Sequence, residues 1–374
     1  MKLVIHFEGS SIRGNERQLL IVARGLRARG HDVVASCRAE SGVRDALDQE
    51  GIRTSTVRPT GDMAVTDNVR FAQWLKDERP DAILLTSWRK ALVAGWASRN
   101  ANIPRIVLRV GGQHTPHGII DRWKYRHALT AYYDAIIANS TMIADHLVRI
   151  IPELRREIIH TVANGITPAQ AQPASLRGEL GLDDDSVLIM STGGLDKRKG
   201  FDLLINAAAQ LEPNVHIAIA GEGNERSSLE ALARSLDIEG RVHFLGQRSD
   251  VESLLPGVDL FVMSSRGEGM SVAMLEAMAA RRPIVSTNVG GVDEALGLRD
   301  RATPAGWIVP RNDAEALVRA LRDVLSSMRT APETVRSRVD EAAWRMQNWF
   351  TSERMVEDYE RVLDPLRSNG VDAS

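Results

Sequence analysis

Two glutamates eight positions apart, Glu268 and Glu276, lie across a glycine-rich turn and the helix that follows it, in Ser264-Ser265-Arg266-Gly267-Glu268-Gly269-Met270-Ser271 and Val272 to Ala279. A strand ends before this turn. The amides of Gly269, Met270 and Ser271 fall where backbone N–H groups lack helical acceptors and the helix dipole is positive, so the turn suits a phosphate. Glu276 follows Gly269 by seven residues, two turns along the same face and about 10 Å down the axis. A carboxylate there would accept from ribose hydroxyls. The spacing alone equally describes Glu268 in a solvated turn and Glu276 on an exposed helix position.

A second strand, turn and helix, Ser191-Thr192-Gly193-Gly194-Leu195-Asp196-Lys197-Arg198-Lys199-Gly200, carries three cations beside glycines that allow close approach. Lys199 and Arg198 would neutralise a diphosphate leaving group without a metal. Lysine is scarce: Lys2, Lys76, Lys90, Lys124, Lys197 and Lys199 are the six among 47 basic residues. Two of them sit in this turn, where a compact point charge differs from an arginine fork. The other reading is a basic surface turn. Gly290-Gly291-Val292-Asp293-Glu294 repeats the arrangement a third time.

In the first half, Gly111-Gly112-Gln113-His114-Thr115-Pro116-His117-Gly118 follows an apolar run. His114, His117 or neither serves the reaction, and Arg109 is a further polar candidate. His-x-x-His lacks a third metal ligand in its loop. Asp183-Asp184-Asp185 has the Asp-x-Asp form of a metal motif but precedes a strand, away from the carboxyl ends where ligands collect, so it reads as a solvated turn. No metal site is expected. Arg122-Trp123-Lys124-Tyr125-Arg126-His127, with Trp88-Arg89-Lys90 and Arg155-Arg156, leaves room for peripheral contact with anionic lipid or an anionic acceptor; a solvated helix face is the alternative.

The elements that must position these residues alternate short apolar runs with amphipathic stretches, the pattern of α/β domains. Strand candidates are Leu3 to Phe7, Val33 to Ser36, Ala82 to Thr86, Arg105 to Val110 and Ala135 to Ala138. After Asn164 to Ala174, a stretch with two prolines, come Val187 to Ser191, Val215 to Ala220, Val242 to Leu245, Leu260 to Met263, Ile284 to Ser286 and Trp307 to Val309. Two doubly wound parallel-sheet domains follow: 1–165, a linker 166–177, and 178–348. Ligands are expected at a cleft facing the carboxyl ends of both sheets. From Ala331-Pro332 helical residues run to about Leu363, and 367–374 read as a frayed tail.

The 374 residues are 43% hydrophobic and 26% charged, with a formal net charge of −2. That composition excludes disorder and coiled coil, and it supplies no global field for nucleic acid, so no nucleic-acid partner is expected. One cysteine, Cys37, cannot form an internal disulfide, and the first apolar run is too short for a signal peptide. No run of about 18 apolar residues would span a membrane. A cytoplasmic location is expected.

In this order the three turns resemble the motifs of retaining glycosyltransferase family 4, whose members have the GT-B fold of two Rossmann-like domains. Glu268 to Glu276 is similar to the family's Glu-x7-Glu, Lys199-Gly200 to its phosphate-binding Lys-Gly, and Gly290 to Glu294 to its Gly-Gly-x-x-Glu. Gly14 to Leu20 and Arg29 to Val33 resemble its opening loop, first helix and second strand, and Trp349 to Val356 its terminal helix (349–366), which crosses back to the first domain. The resemblance implies Lys199 on the donor diphosphate, Glu276 on the ribose, and Glu268 with Gly269, Met270 and Ser271 at the transferred sugar and its phosphates. Arg198 and Gly14 complete the implied donor set, and a histidine, here His114, would face the sugar. It also implies a metal-independent, retaining transfer from a nucleotide-diphosphate sugar, UDP favoured, to a glycan or lipid-linked hydroxyl acceptor, with no further cofactor. Gly194 stands where an arginine is usual, Arg13 where a second glycine is, and Thr167 where an aspartate is common. A UDP-sugar 2-epimerase of the same fold and a non-catalytic nucleotide-sugar-binding protein are the alternatives. A dinucleotide dehydrogenase fits less, since Gly9 to Gly14 does not match Gly-x-Gly-x-x-Gly.

Overall fold

The computed structural model describes residues 1–61, 63–168, 174–298, 304–364 and 366. It divides into two units, Met1–Gly165 with the chain from Ser352 onward, and Ile166–Thr351. The first holds a seven-stranded parallel sheet: β1 (Lys2–His6), β2 (Asp32–Ser36), β3 (Arg53–Ser55), β4 (Ala82–Leu85), β5 (Arg105–Val110), β6 (Ala135–Ala138) and β7 (Ile159–Thr161). Their order is β3-β2-β1-β4-β5-β6-β7. The second holds β8 (Val187–Thr192), β9 (Val215–Ala220), β10 (Val242–Gly246), β11 (Leu260–Met263), β12 (Ile284–Thr287) and β13 (Trp307–Val309) in the order β10-β9-β8-β11-β12-β13. Every pairing is parallel, from Lys2↔Asp32 to Thr287↔Val309.

Both faces of each sheet are covered, which is why the central strands read as unbroken apolar runs. In the first unit side chains alternate with period two: Val4, Ile106 and Leu108 enter one core, while Leu3, Ile5 and Val107 enter the other. The second core receives Met355, Val356, Tyr359, Val362 and Leu363 from the helix Ser352–Leu363, so the last helix completes the first unit. Ile189, Ile217, Val262 and Val285 are in the core of the second unit.

Each sheet reverses its order once, between β1 and β4 and between β8 and β11. Loops leaving adjacent strands diverge there, and ligands of open α/β sheets bind in that crevice.

The segments differ from the expectations in three places. Edge strands β3 and β7 are short and mixed in polarity, burying one residue between them, so no apolar run announces them. The helical residues after Pro332 form two helices, Pro332–Trp349 and Ser352–Leu363, and the terminal helix begins after the break at Phe350-Thr351, three residues later than the expected 349. The stretch read as a linker is anchored at its start: Gly165 N–H donates to Gln18 Oε1 at 3.0 Å, and Ile166 N–H to the Phe350 carbonyl at 2.9 Å. At its end, Ser175 caps the helix Leu176–Leu180 by accepting from Gly178 N–H at 3.1 Å. The middle of that linker (169–173) and the expected tail (367–374) lie outside the described residues.

Candidate active site

In the second unit, the loops after β8 and β11 meet at the order reversal. Asp196 caps a single turn, Lys197–Lys199, by accepting from Arg198 N–H at 2.9 Å. Gly200 then takes φ 64°, and a Cβ there would sit 2.2 Å from the Ser264 carbonyl. Glycine is therefore required for this loop to lie against the end of β11. Ser264 Oγ donates to the Gly200 carbonyl at 2.8 Å, and Arg266 N–H to the Arg198 carbonyl at 2.7 Å.

This close approach joins Lys199 to Glu268. Lys199 Nζ stands 2.6 Å from Glu268 Oε1, Arg198 Nη1 3.2 Å from Oε2, and Ser265 Oγ donates to Oε1 at 3.0 Å. The Glu268 side chain is only 9% exposed, so it is not a solvated turn residue. Burial pushes its pKa up, but the two cations and the Ser265 hydroxyl outweigh that and hold it below the ordinary glutamate value. Glu268 is ionised at neutral pH.

The helix Val272–Ala279 begins beside this carboxylate, capped by Ser271 Oγ, which accepts from Met274 N–H at 3.4 Å. Met270 and Ser271 are buried, and so is Glu276 at 7% exposure, which excludes the exposed-helix reading. The third turn joins the same place. Gly291 N–H donates to the Gly269 carbonyl at 2.8 Å, and a Cβ on Gly290, φ 54°, would stand 1.8 Å from that oxygen. Gly269, Lys199 and Gly290 thus belong to one constructed site, although 91 residues separate the second from the third.

Arg266 is a positioning residue that the sequence reading did not single out. Its guanidinium takes both carboxylate oxygens of Asp202 at 2.7 and 2.6 Å, the Lys197 carbonyl at 2.9 Å and Asn312 Oδ1 at 3.0 Å. Asp202 is held below the ordinary aspartate pKa chiefly by that bond. The signal for it was only an arginine inside the glycine turn. At Gly194 an added Cβ would meet Asp196 Oδ2 at 3.6 Å, an ordinary contact, so the backbone there has room for a side chain.

The predicted residues of the first unit occupy its own sheet edge. Gly14 starts the helix Gly14–Ala28 with nothing within 4 Å of an added Cβ. Packing therefore does not require glycine at this helix N-terminus. Beside it, across the β1/β4 reversal, Glu8 accepts from Lys90 Nζ at 2.8 Å and lies 3.2 Å from His6 Nε2. Burial raises the Glu8 pKa, but these two partners prevail and bring it to about 2. Burial lowers that of His6, which is fully enclosed and also bonded to Ser36. This triad was missed because its members are 2 and 82 positions from Glu8.

His114 stacks on Trp88 with ring centroids 5.3 Å apart and an 11° interplanar angle. Lost hydration, then Arg89 and His146, push its pKa down, so the ring is neutral at pH 7. His117 precedes the helix Gly118–Ala131, and its N–H donates to Asp121 Oδ2 at 3.3 Å. Arg109 is committed elsewhere. It lies on the Val107 face of β5 and donates to the Tyr359 hydroxyl at 2.6 Å, Asn164 Oδ1 at 3.0 Å and Asn15 Oδ1, tying three segments together. Asp183 to Asp185 form an exposed turn at the amino end of β8, as expected. Among the described residues no helix is long and apolar enough to cross a membrane.

Two α/β units with parallel sheets, each reversing its strand order once, define the GT-B class of fold. Comparison with known proteins gives the family. Residues 13–165 match the glycosyl transferase 4-like domain, and 174–343 match glycosyl transferases group 1. The chain belongs to the family 4-like GT-B glycosyltransferases, and it is a transferase enzyme. It is 28% identical to the lipopolysaccharide core biosynthesis glycosyltransferase LpsE of Rhizobium meliloti, over 96% of this chain and 98% of that one. It is similar in fold to Anabaena HepE, solved with UDP-glucose, at TM-score 0.82 and 20% identity, covering 98% of this chain and 100% of that chain. The lipopolysaccharide biosynthesis glycosyltransferase WaaG matches at TM-score 0.69 and 18% identity, over 97% and 99% of the two chains.

Proposed function

We propose that the protein moves a sugar from a nucleotide-diphosphate donor, UDP favoured, to a hydroxyl of a glycan or glycolipid in lipopolysaccharide or polysaccharide assembly, retaining anomeric configuration and using no metal. The observation that carries this reading is the Lys199–Glu268 pair at 2.6 Å beside the N-terminus of Val272–Ala279. LpsE, and HepE with its UDP-glucose, support the substrate class.

The second unit takes the donor. The diphosphate caps the helix at Gly269, Met270 and Ser271 and draws on Lys199 and Arg198, whose charges stabilise the leaving group as the glycosidic bond breaks. Glu276 accepts from the ribose. Glu268, held ionised, stands at the transferred sugar and fixes the lysine. The first unit takes the acceptor, with neutral His114 as a hydrogen-bonding group toward it, and Gly14 keeps the donor role that its family motif implies. The acceptor oxygen attacks on the face the diphosphate vacates, and its proton passes to the departing phosphate oxygen.

The test is a thermal-shift panel of nucleotide diphosphates and their sugars, with magnesium or with chelator, followed by diphosphate release with and without acceptor. A shift with UDP in chelator, lost in Lys199→Ala and Glu276→Ala, is expected. Donor conversion without acceptor would point to an epimerase. Binding with no diphosphate release would point to a non-catalytic protein.

Peripheral contact with an anionic bilayer is part of this reading. On the helix Gly118–Ala131, Tyr125, Ala128 and Leu129 face the core, while Ile119 at 89%, Ile120 at 81% and Trp123 at 53% exposure form an outward apolar stripe. Arg122, Arg126 and Arg149 surround the adjoining cavity of about 520 Å³. Apolar side chains flanked by arginine suit a headgroup boundary better than bulk water.

A further inference from the structure

The first unit contains a second cavity, of about 390 Å³, which the transfer chemistry above does not use as a whole. It opens at the carboxyl ends of β4 and β5, where ligands of doubly wound sheets collect. Three segments line it: the turn Trp88–Lys90, the loop holding His114 and Thr115, and the start of the helix Gly118–Ala131.

Its floor is an aromatic stack. Trp88 is buried between Tyr125, at a centroid distance of 4.5 Å, and His114, at 5.3 Å. One face of the imidazole is stacked on Trp88, and His114 is itself part of the cavity lining. A flat neutral ring so held offers the C–H face of a pyranose a surface to lie on.

Its walls are cationic. Arg89 and Lys124 stand in the lining, and Lys124 Nζ is steered by the Arg89 carbonyl at 3.4 Å and by the Tyr125 ring at 5.3 Å. Asp121 is the one acid in the lining, and its carboxylate is engaged on the His117 N–H, capping the helix. The helix dipole adds positive potential at that end. The two side-chain cations outnumber Asp121 in the lining, and that excess of positive charge beside an aromatic stack favours an anionic ligand over a neutral hydroxylated one.

We infer that this cavity is a subsite for a sugar bearing an anionic substituent, a phosphate monoester or a carboxylate, on the acceptor. The sugar ring lies over His114 while Arg89 and Lys124 hold the anion. This rests on the acceptor role of the first unit proposed above.

The experiment is ligand-observed saturation-transfer NMR on the full chain with UDP in excess, so that the phosphate seat of the second unit is filled. The probes are glucose 6-phosphate, glucuronate and neutral glucose. Binding of either anionic probe at least tenfold tighter than glucose is expected, and the tighter of the two tells phosphate from carboxylate. Arg89→Gln with Lys124→Gln, at solvent-accessible positions, should remove that preference while leaving the thermal shift with UDP intact. Equal binding of glucose, binding unchanged in the double variant, or no binding of either anion would overturn the subsite. The UDP shift, read on the same samples, reports separately on the donor reading: its absence counts against the transferase assignment of the second unit and not against this cavity.

Discussion

Lys199 and Glu268 neutralise one another at 2.6 Å, so the diphosphate proposed for this site would compete for the lysine with a carboxylate already in place. Removing the lysine strands a mostly buried acid on Arg198 and Ser265 alone. Lys199→Ala should therefore cost about 1–3 kcal/mol of stability in denaturant unfolding, besides abolishing the UDP shift. Because the folded pKa of Glu268 is lowered, its contribution is full above the ordinary glutamate value and fades as pH falls through the lowered one. Glu268→Gln should flatten that part of the acid limb; an unchanged limb would show the carboxylate to be uncoupled from folding. Two glycines separate packing from function. Gly200→Ala meets the Ser264 carbonyl and should lose roughly 1–3 kcal/mol. Gly194→Arg meets nothing closer than 3.6 Å at its Cβ and should keep wild-type stability while enlarging the UDP shift. If the shift shrinks instead, Arg198 already fills the cationic role.

The loops at the two order reversals are where elements become sites. In the first unit, His6 and Glu8 both have lowered pKa values, so each takes up a proton more readily when unfolded. Stability contributed through His6 should decline as pH drops below about 6.5, and that through Glu8 from about 4.5 toward about 2. Chemical denaturation of wild type and Glu8→Gln across pH 7 to 3 would resolve the two steps. The helix Gly118–Ala131 should bring the protein up with vesicles containing anionic lipid at low salt, and Ile119→Ser with Trp123→Ser should leave it at the bottom of the gradient. Flotation unaffected by that double variant would assign the stripe another role. Eleven strands were legible because runs such as Leu3 to Phe7 and Val215 to Ala220 are buried on both faces. β3 and β7 were not, since Arg53–Ser55 and Ile159–Thr161 are short and mostly polar, whereas the edge strands β10 and β13 keep apolar residues at Val242, Phe244, Leu245 and Trp307 to Val309. The cationic turn and Glu-x7-Glu were legible as separate local motifs. Their junction was not, because it depends on a carbonyl of Ser264 reaching Gly200 across 64 positions. The Trp88 stack and the Glu8 triad were hidden for the same reason: Trp88 meets His114 only through the pairing of β4 with β5, and Lys90 meets Glu8 only through the pairing of β1 with β4.

At the scale of the molecule, the first unit is closed by residues far from the rest of its sequence. Tyr359 is buried and accepts from Arg109, while Arg105 Nε donates to the Val362 carbonyl at 3.0 Å. Val356 packs so closely on the helix Gly14–Ala28 that a Cβ at Gly25 would stand 2.4 Å from it. Tyr359→Phe leaves a buried guanidinium N–H unanswered and should cost about 1–3 kcal/mol. Hydrogen exchange should show the loss in β1 and β5, with the UDP shift preserved; uniform loss across β8 and β11 would contradict the division into units. The second unit, by contrast, begins and ends on itself, since Ile166 bridges Thr351 and bonds to Phe350. On the ribosome this sets an order of events. All 186 residues of the inserted unit emerge before Tyr359 does, so the domain synthesised first is the last to be finished, and until then the core that Leu19, Val22 and Leu26 share with Met355, Tyr359 and Leu363 is only partly covered.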